Sequence, residues 1–113
     1  SVRHLTSKVI VNAGWNVITA KDGLDALEQL KAASTLPKVI LSDIEMPRMD
    51  GYEFAASIQR SENFNNIPVV MITSRAADKH REKAYESGVS QYLTKPYDDR
   101  ELVNTIKVLG NIT

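Results

Sequence analysis

The chain has 113 residues, 42% of them apolar and 25% charged, which allows one globular domain with one core and excludes a second. Fourteen Lys and Arg balance fourteen Asp and Glu, so no net field draws the chain toward nucleic acid or an anionic membrane, and contact with neither is expected. There is no cysteine, which excludes disulfides, thiolate metal sites and thiol catalysis. No apolar run is long enough to span a bilayer, and the opening residues do not read as a signal peptide, so a cytoplasmic location is expected.

Residues 2–13 carry Val2, Leu5 and Val9 on one helical face, with Ile10 and Ala13 beside them and Gly14 as the stop. Residues 17–20, Val-Ile-Thr-Ala, read as a short β-branched strand. Asp22 and Gly23 open a second helix with Leu24, Leu27 and Leu30 inward, and Pro37 marks its exit. A strand at 39–42 runs into Asp43, and the loop Glu45-Met46-Pro47-Arg48-Met49-Asp50-Gly51 leads to a helix with Phe54, Ala55 and Ile58 as its apolar stripe. After a polar turn at 63–66, Pro68 precedes a strand at 69–72 that runs into Thr73. Residues 78–87 are helical in pattern but thinly apolar, with only Ala84 and Tyr85 strong, and Gly88 ends them. A strand at 90–94 reaches Lys95-Pro96, and a last helix uses Leu102, Val103, Ile106 and Leu109 as its apolar residues before Gly110 closes it. Near-continuous apolar strands alternating with helices predict an α/β fold, a doubly wound parallel sheet covered on both faces.

Three strands therefore end on a carboxylate, a hydroxyl and an ammonium: Asp43, Thr73 and Lys95. Open parallel sheets bind ligands at the carboxyl ends of their strands. An acid, an alcohol and a cation gathered there suit the acceptance and gripping of a phosphoryl group. Taken singly, Asp43 reads as a turn residue, Thr73 as a helix N-cap and Lys95 as a solvated charge. Their order and common position at strand ends make the joint reading the stronger one. Pro47 stiffens the loop after Asp43, and Gly51 supplies either a positive φ or close backbone contact. Pro96 permits a cis bond that aims Lys95 across the sheet edge.

These residues, and above all the Asp-x-x-Met-Pro-x-Met-Asp-Gly run from Asp43 to Gly51, resemble the response-regulator receiver domains of two-component signalling, over nearly all 113 residues. The resemblance implies a flavodoxin-like sheet and a domain spanning residues 1–113. Asp43 is then the phosphoacceptor, Thr73 and Lys95 contact the phosphoryl group, and Tyr92 swings between exposed and buried positions. Mg²⁺ is the implied cofactor, held by Asp43 and the Glu45 backbone carbonyl. The implied donor is a histidine kinase or a phosphotransfer domain, with a switch in the surface around residues 76–97 as the response. The run from Thr73 to Arg81 and the later Tyr92-Leu93-Thr94-Lys95-Pro96-Tyr97 are similar to receivers at the C-terminus of chemotaxis-type hybrid histidine kinases.

Receivers begin with a strand ending in an acidic pair that binds the metal, and Ser1-Val2-Arg3-His4 match positions just after that pair. The first strand and the acidic pair are thus expected upstream of Ser1, with the chain truncated at its N-terminus and its Mg²⁺ binding weak. Two alternatives stay open: the strand is exchanged from a second copy in a homodimer, or the receiver has lost metal-dependent phosphorylation. An interaction or dimerisation module that takes no phosphate is the competing function. A flavin-type cofactor binder lacks a Gly-rich phosphate loop after any strand. A stand-alone hydrolase would need Glu45 as a working acid, whereas the resemblance gives it only a backbone role.

Overall fold

Three parallel strands, β1 (Ile40–Ser42), β2 (Val69–Thr73) and β3 (Gln91–Thr94), form one sheet in the order β1-β2-β3 in a computed structural model of the chain. Residues 2–112 are described, with side chains from Thr6 onward, so the inward placement expected of Val2 and Leu5 lies outside the described residues. Helices α1 (Val2–Asn12), α2 (Gly23–Ala32), α3 (Gly51–Arg60), α4 (Asp78–Glu86) and α5 (Asp99–Gly110) surround the sheet. The period of two along a strand sorts its side chains onto two faces. Val69 and Met71 enter a core with Leu30 of α2, Phe54, Ala55 and Ile58 of α3 and Ala84 of α4. Val70 and Ile72 enter another with Leu102 and Ile106 of α5, against which Val9 and Ile10 of α1 pack. Every residue of β2 is buried. This is the doubly wound sheet expected from the apolar runs.

Four expectations need correction. Residues 17–20 form no strand, and Ile18 is 74% exposed. A strand exists only where its backbone groups find a ladder, and no described segment pairs beside these residues, while β1 pairs only with β2. Leu24 is exposed, because the inward face of α2 runs through Gly23, Ala26, Leu27 and Leu30 at helical spacing. Tyr85 is also exposed, which leaves Ala84 as the one buried residue of α4. The last helix runs through Gly110, and Asn111 takes the left-handed cap at φ 51°. The glycine has a packing role instead: a Cβ there would stand 2.9 Å from Val39 Cγ2.

Gly51 shows what close approach means at the start of α3. A Cβ on it would lie 2.2 Å from the carbonyl oxygen of Asp43, a backbone atom that cannot swing away. Its amide donates to the Ile44 carbonyl at 2.7 Å, which draws the helix start against the end of β1. Of the two roles open to Gly51, close backbone contact is the one it fills. Gly51→Ala is expected to cost about 3 kcal/mol or more of unfolding free energy, read by urea denaturation. A variant as stable as the parent would contradict this packing.

Candidate active site at the carboxyl edge of the sheet

Register decides which side chains meet. Ser42 pairs with Met71, and Thr73 pairs with Thr94, so all three strands end at one edge. The Lys95 amide continues the ladder by donating to the Thr73 carbonyl at 2.8 Å. Asp43, Thr73 and Lys95 are each the last or next residue of their strand, and the register brings them together as the sequence predicted.

Asp43 Oδ1 accepts from the Ile44 amide at 2.7 Å, which fixes the carboxylate and turns Oδ2 toward Lys95. Lys95 Nζ donates to that oxygen at 3.5 Å, a long contact. The Asp43 side chain is 43% exposed and that of Lys95 23%, so the acid is open to solvent and the cation largely enclosed. Thr73 is buried, and its Oγ1 accepts from the Arg75 amide at 3.1 Å. It is a turn former here and caps no helix, since α4 begins at Asp78 after Ala77. The Lys95–Pro96 peptide bond is cis. Tyr97, two residues on, bonds Thr6 of α1 through its hydroxyl at 2.9 Å, tying the loop after Lys95 to the helix layer.

Tyr92 is 2% exposed, the buried one of the two positions that the resemblance implies for it. Its hydroxyl donates to the Arg75 carbonyl at 2.6 Å, and burial raises its phenol above the ordinary tyrosine range. The Glu45 carboxylate pairs with the Arg75 guanidinium. Asp43 is the acid beside Lys95.

Sequence reasoning missed what holds the loop after Asp43. Arg48 adopts a left-handed backbone at φ 65°, uncommon for a residue with a side chain. Its guanidinium grips Asp22 with two bonds, Nε to Oδ2 at 2.7 Å and a terminal nitrogen to Oδ1 at 2.8 Å. Asp22 is buried and also caps α2 by accepting from the Asp25 amide at 2.9 Å. The bidentate pair therefore joins the start of α2 to the loop that carries Pro47 and Met49. The helix-opening role of Asp22 was readable in the sequence, but nothing pointed to a partner 26 residues away.

Receiver domains generally bind Mg²⁺ in their active site. Among the described residues no three Asp, Glu or His side chains stand close enough to hold a metal ion. Asp43 and the Glu45 carbonyl offer one carboxylate and one neutral oxygen, and the Glu45 carboxylate is engaged by Arg75. The described residues do not by themselves make a Mg²⁺ site.

A parallel sheet with an exposed carboxylate, an enclosed lysine and a buried threonine at its carboxyl edge is the architecture of a phosphoryl-accepting signalling domain. The chain belongs to the response regulator receiver domain family, which matches residues 1–107. It is 39% identical over 105 residues to the sensor histidine kinase CheAY of Helicobacter pylori, covering 93% of this chain and 13% of that protein. It is 40% identical over 107 residues to protein PilG of Pseudomonas aeruginosa, covering 95% of this chain and 78% of that one. Among solved structures, the receiver domain of a Pseudomonas aeruginosa sensor histidine kinase, with a magnesium ion coordinated in its active-site cleft, superposes with a TM-score of 0.85 at 25% identity. That match covers 96% of this chain and 87% of the other. The chain is a two-component receiver of chemotaxis type, and such domains act with histidine kinases or phosphotransfer partners.

The Asp22–Arg48 pair carries a pH signature. The Arg48 hydrogen bonds, and then the Asp25 amide, lower the Asp22 carboxyl from 3.8 to about 2. A carboxyl depressed on folding stabilises the fold at pH above its unfolded value, and that stability is lost as pH falls through the folded value. The urea midpoint is expected to fall between about pH 4 and pH 2 more steeply in the parent than in Asp22→Asn. Parallel curves would contradict the pairing.

Proposed function

We propose that Asp43 is the phosphoacceptor of this receiver and takes its phosphoryl group from a phosphohistidine on a histidine kinase or phosphotransfer domain. The observation that carries the reading is the approach of Lys95 Nζ to Asp43 Oδ2 at 3.5 Å, at a sheet edge where the acid stays open to a donor. An Asp43 oxygen attacks phosphorus in line. The new O–P bond forms as the P–N bond breaks, and the departing imidazole keeps the electron pair and takes up a proton. Negative charge spreads over the three equatorial oxygens, so rate depends on positioning and on fixed positive charge.

Lys95 supplies that charge from a partly enclosed position, where solvent screens it less than at the open surface. The Thr73 oxygen accepts from the Arg75 amide, so its own hydroxyl hydrogen is left to donate to a phosphoryl oxygen. Pro47, Gly51 and Pro96 shape the loops on which these groups ride. The acyl phosphate brings new charge and three acceptor oxygens, and Thr73 turning toward them disturbs the contacts of Arg75 and Tyr92. The response is a switch of the surface around residues 76–97. That surface suits a two-state role, because α4 buries only Ala84 and its Ala77 cap makes no side-chain hydrogen bond. We assign residues 1–113 to one receiver module in the cytoplasm. The likeness to CheAY favours a place within a chemotaxis-type hybrid histidine kinase, and the likeness to PilG favours a protein little longer than the receiver.

In the protein as its whole reading frame encodes it, Asp43→Asn is expected to take up no labelled phosphate from a phosphohistidine donor. Its unfolding free energy should stay within about 0.5 kcal/mol of the parent. Lys95→Ala is expected to retain phosphorylation at a rate on the order of 100-fold lower. Label entering Asp43→Asn, or an unchanged rate for Lys95→Ala, would contradict the assignment.

A further inference from the structure

Three groups of one residue, Arg75, bind three separate segments of the chain, and the proposed transfer gives the Arg75 side chain no part. Its amide donates to Thr73 Oγ1 at 3.1 Å, and its carbonyl accepts from the Tyr92 hydroxyl at 2.6 Å. Its guanidinium donates to Glu45 Oε1 from Nε at 3.1 Å and again, at shorter range, from a terminal nitrogen. Glu45 stands two residues beyond Asp43, and Arg75 two residues beyond Thr73. The ion pair thus crosses from the loop after β1 to the loop after β2. On the other side, the Arg81 guanidinium of α4 lies 5.0 Å from the centre of the Tyr92 ring.

The segment that carries Arg75 has little else to hold it. Ser74, Ala76 and Ala77 are exposed, and α4 starts from Ala77 with no side-chain cap. Segments with few buried contacts open easily. If residues 74–77 lift, the Tyr92 hydroxyl loses the acceptor it has here, and a buried hydroxyl without a partner is unfavourable. The ring then does better outside, where water replaces the lost bond. The placement of this short loop therefore decides the placement of Tyr92.

We propose that the Glu45–Arg75 ion pair is a latch that pins residues 74–77 and keeps Tyr92 in its inward position in the unmodified protein. Glu45 and Arg75 are positioning residues, and on the reading of Asp43 as phosphoacceptor their pairing sets how far the output surface is already turned before a phosphoryl group arrives. The two side chains are 72% and 38% exposed, so an effect of modest size is expected, and replacing them leaves the core intact.

The test uses ¹⁹F NMR of 3-fluorotyrosine placed at position 92 in unmodified protein, with no phosphodonor present, so it does not depend on whether Asp43 accepts phosphate. Glu45→Gln and Arg75→Gln are each expected to raise the outward-to-inward ratio of Tyr92 about threefold. The reversed pair, Glu45→Arg with Arg75→Glu, is expected to return the signal toward that of the parent. Rescue of this kind separates a latch from a general loosening of the loop. An unmoved signal in both single variants, or a reversed pair that behaves like the singles, would overturn the proposal.

Discussion

Parallel pairing in one register is the constraint from which the site follows. Because Ser42 lies opposite Met71 and Thr73 opposite Thr94, the chain leaves all three strands at one edge, and the Lys95 amide extends that ladder by one more bond to Thr73. A slip of one residue in β2 would exchange its two buried faces, moving Val69 and Met71 toward α5 and Val70 and Ile72 toward α3. Every residue of β2 is buried, so both faces resist such a slip. The chemistry at the edge is thus held in place by apolar packing well away from it.

Register places the strands but not the loops, and each loop has its own fastening. The Asp43 loop is drawn in by Gly51, whose missing Cβ lets the helix start touch the Asp43 backbone, and from outside by the grip of Arg48 on Asp22. The Lys95 loop is held by Tyr97 against Thr6 and by Asp98, which accepts from the Arg100 amide as the cap of α5. The Thr73 loop is the loosest of the three, since its anchors are an exposed ion pair and the hydroxyl of Tyr92. Helix α4 follows that loop with a single buried residue and adds cations over aromatic rings, Arg81 at Tyr92 and Lys83 at 4.5 Å from the Tyr52 ring. Two firmly tied loops beside one weakly tied loop are what a site needs if chemistry is to stay fixed while a surface moves.

Much of this was legible in the sequence because apolar runs and turn residues are local signals. The strands into Asp43 and Thr73, the stripe of Phe54, Ala55 and Ile58, and the site residues at strand ends all follow from patterns a few residues long. Residues 17–20 have strand composition, yet composition cannot supply the neighbour a strand must pair with. Leu24 was misplaced because three leucines at spacing three suggest a face, while the true face passes through Gly23, whose small size admits Met49. The Asp22–Arg48 and Glu45–Arg75 pairs join residues 26 and 30 positions apart, and nothing in a single sequence announces such partners.

The central claim is that one carboxylate, at position 43, becomes covalently joined to phosphorus. Borohydride reduction of the whole protein after incubation with a phosphohistidine donor tests it most directly, because an aspartyl phosphate is reduced to homoserine while a free carboxylate survives. Peptide mass spectrometry is expected to find homoserine at position 43 and at no other aspartate. Homoserine at another position, or none from protein that has taken up phosphate, would contradict the account.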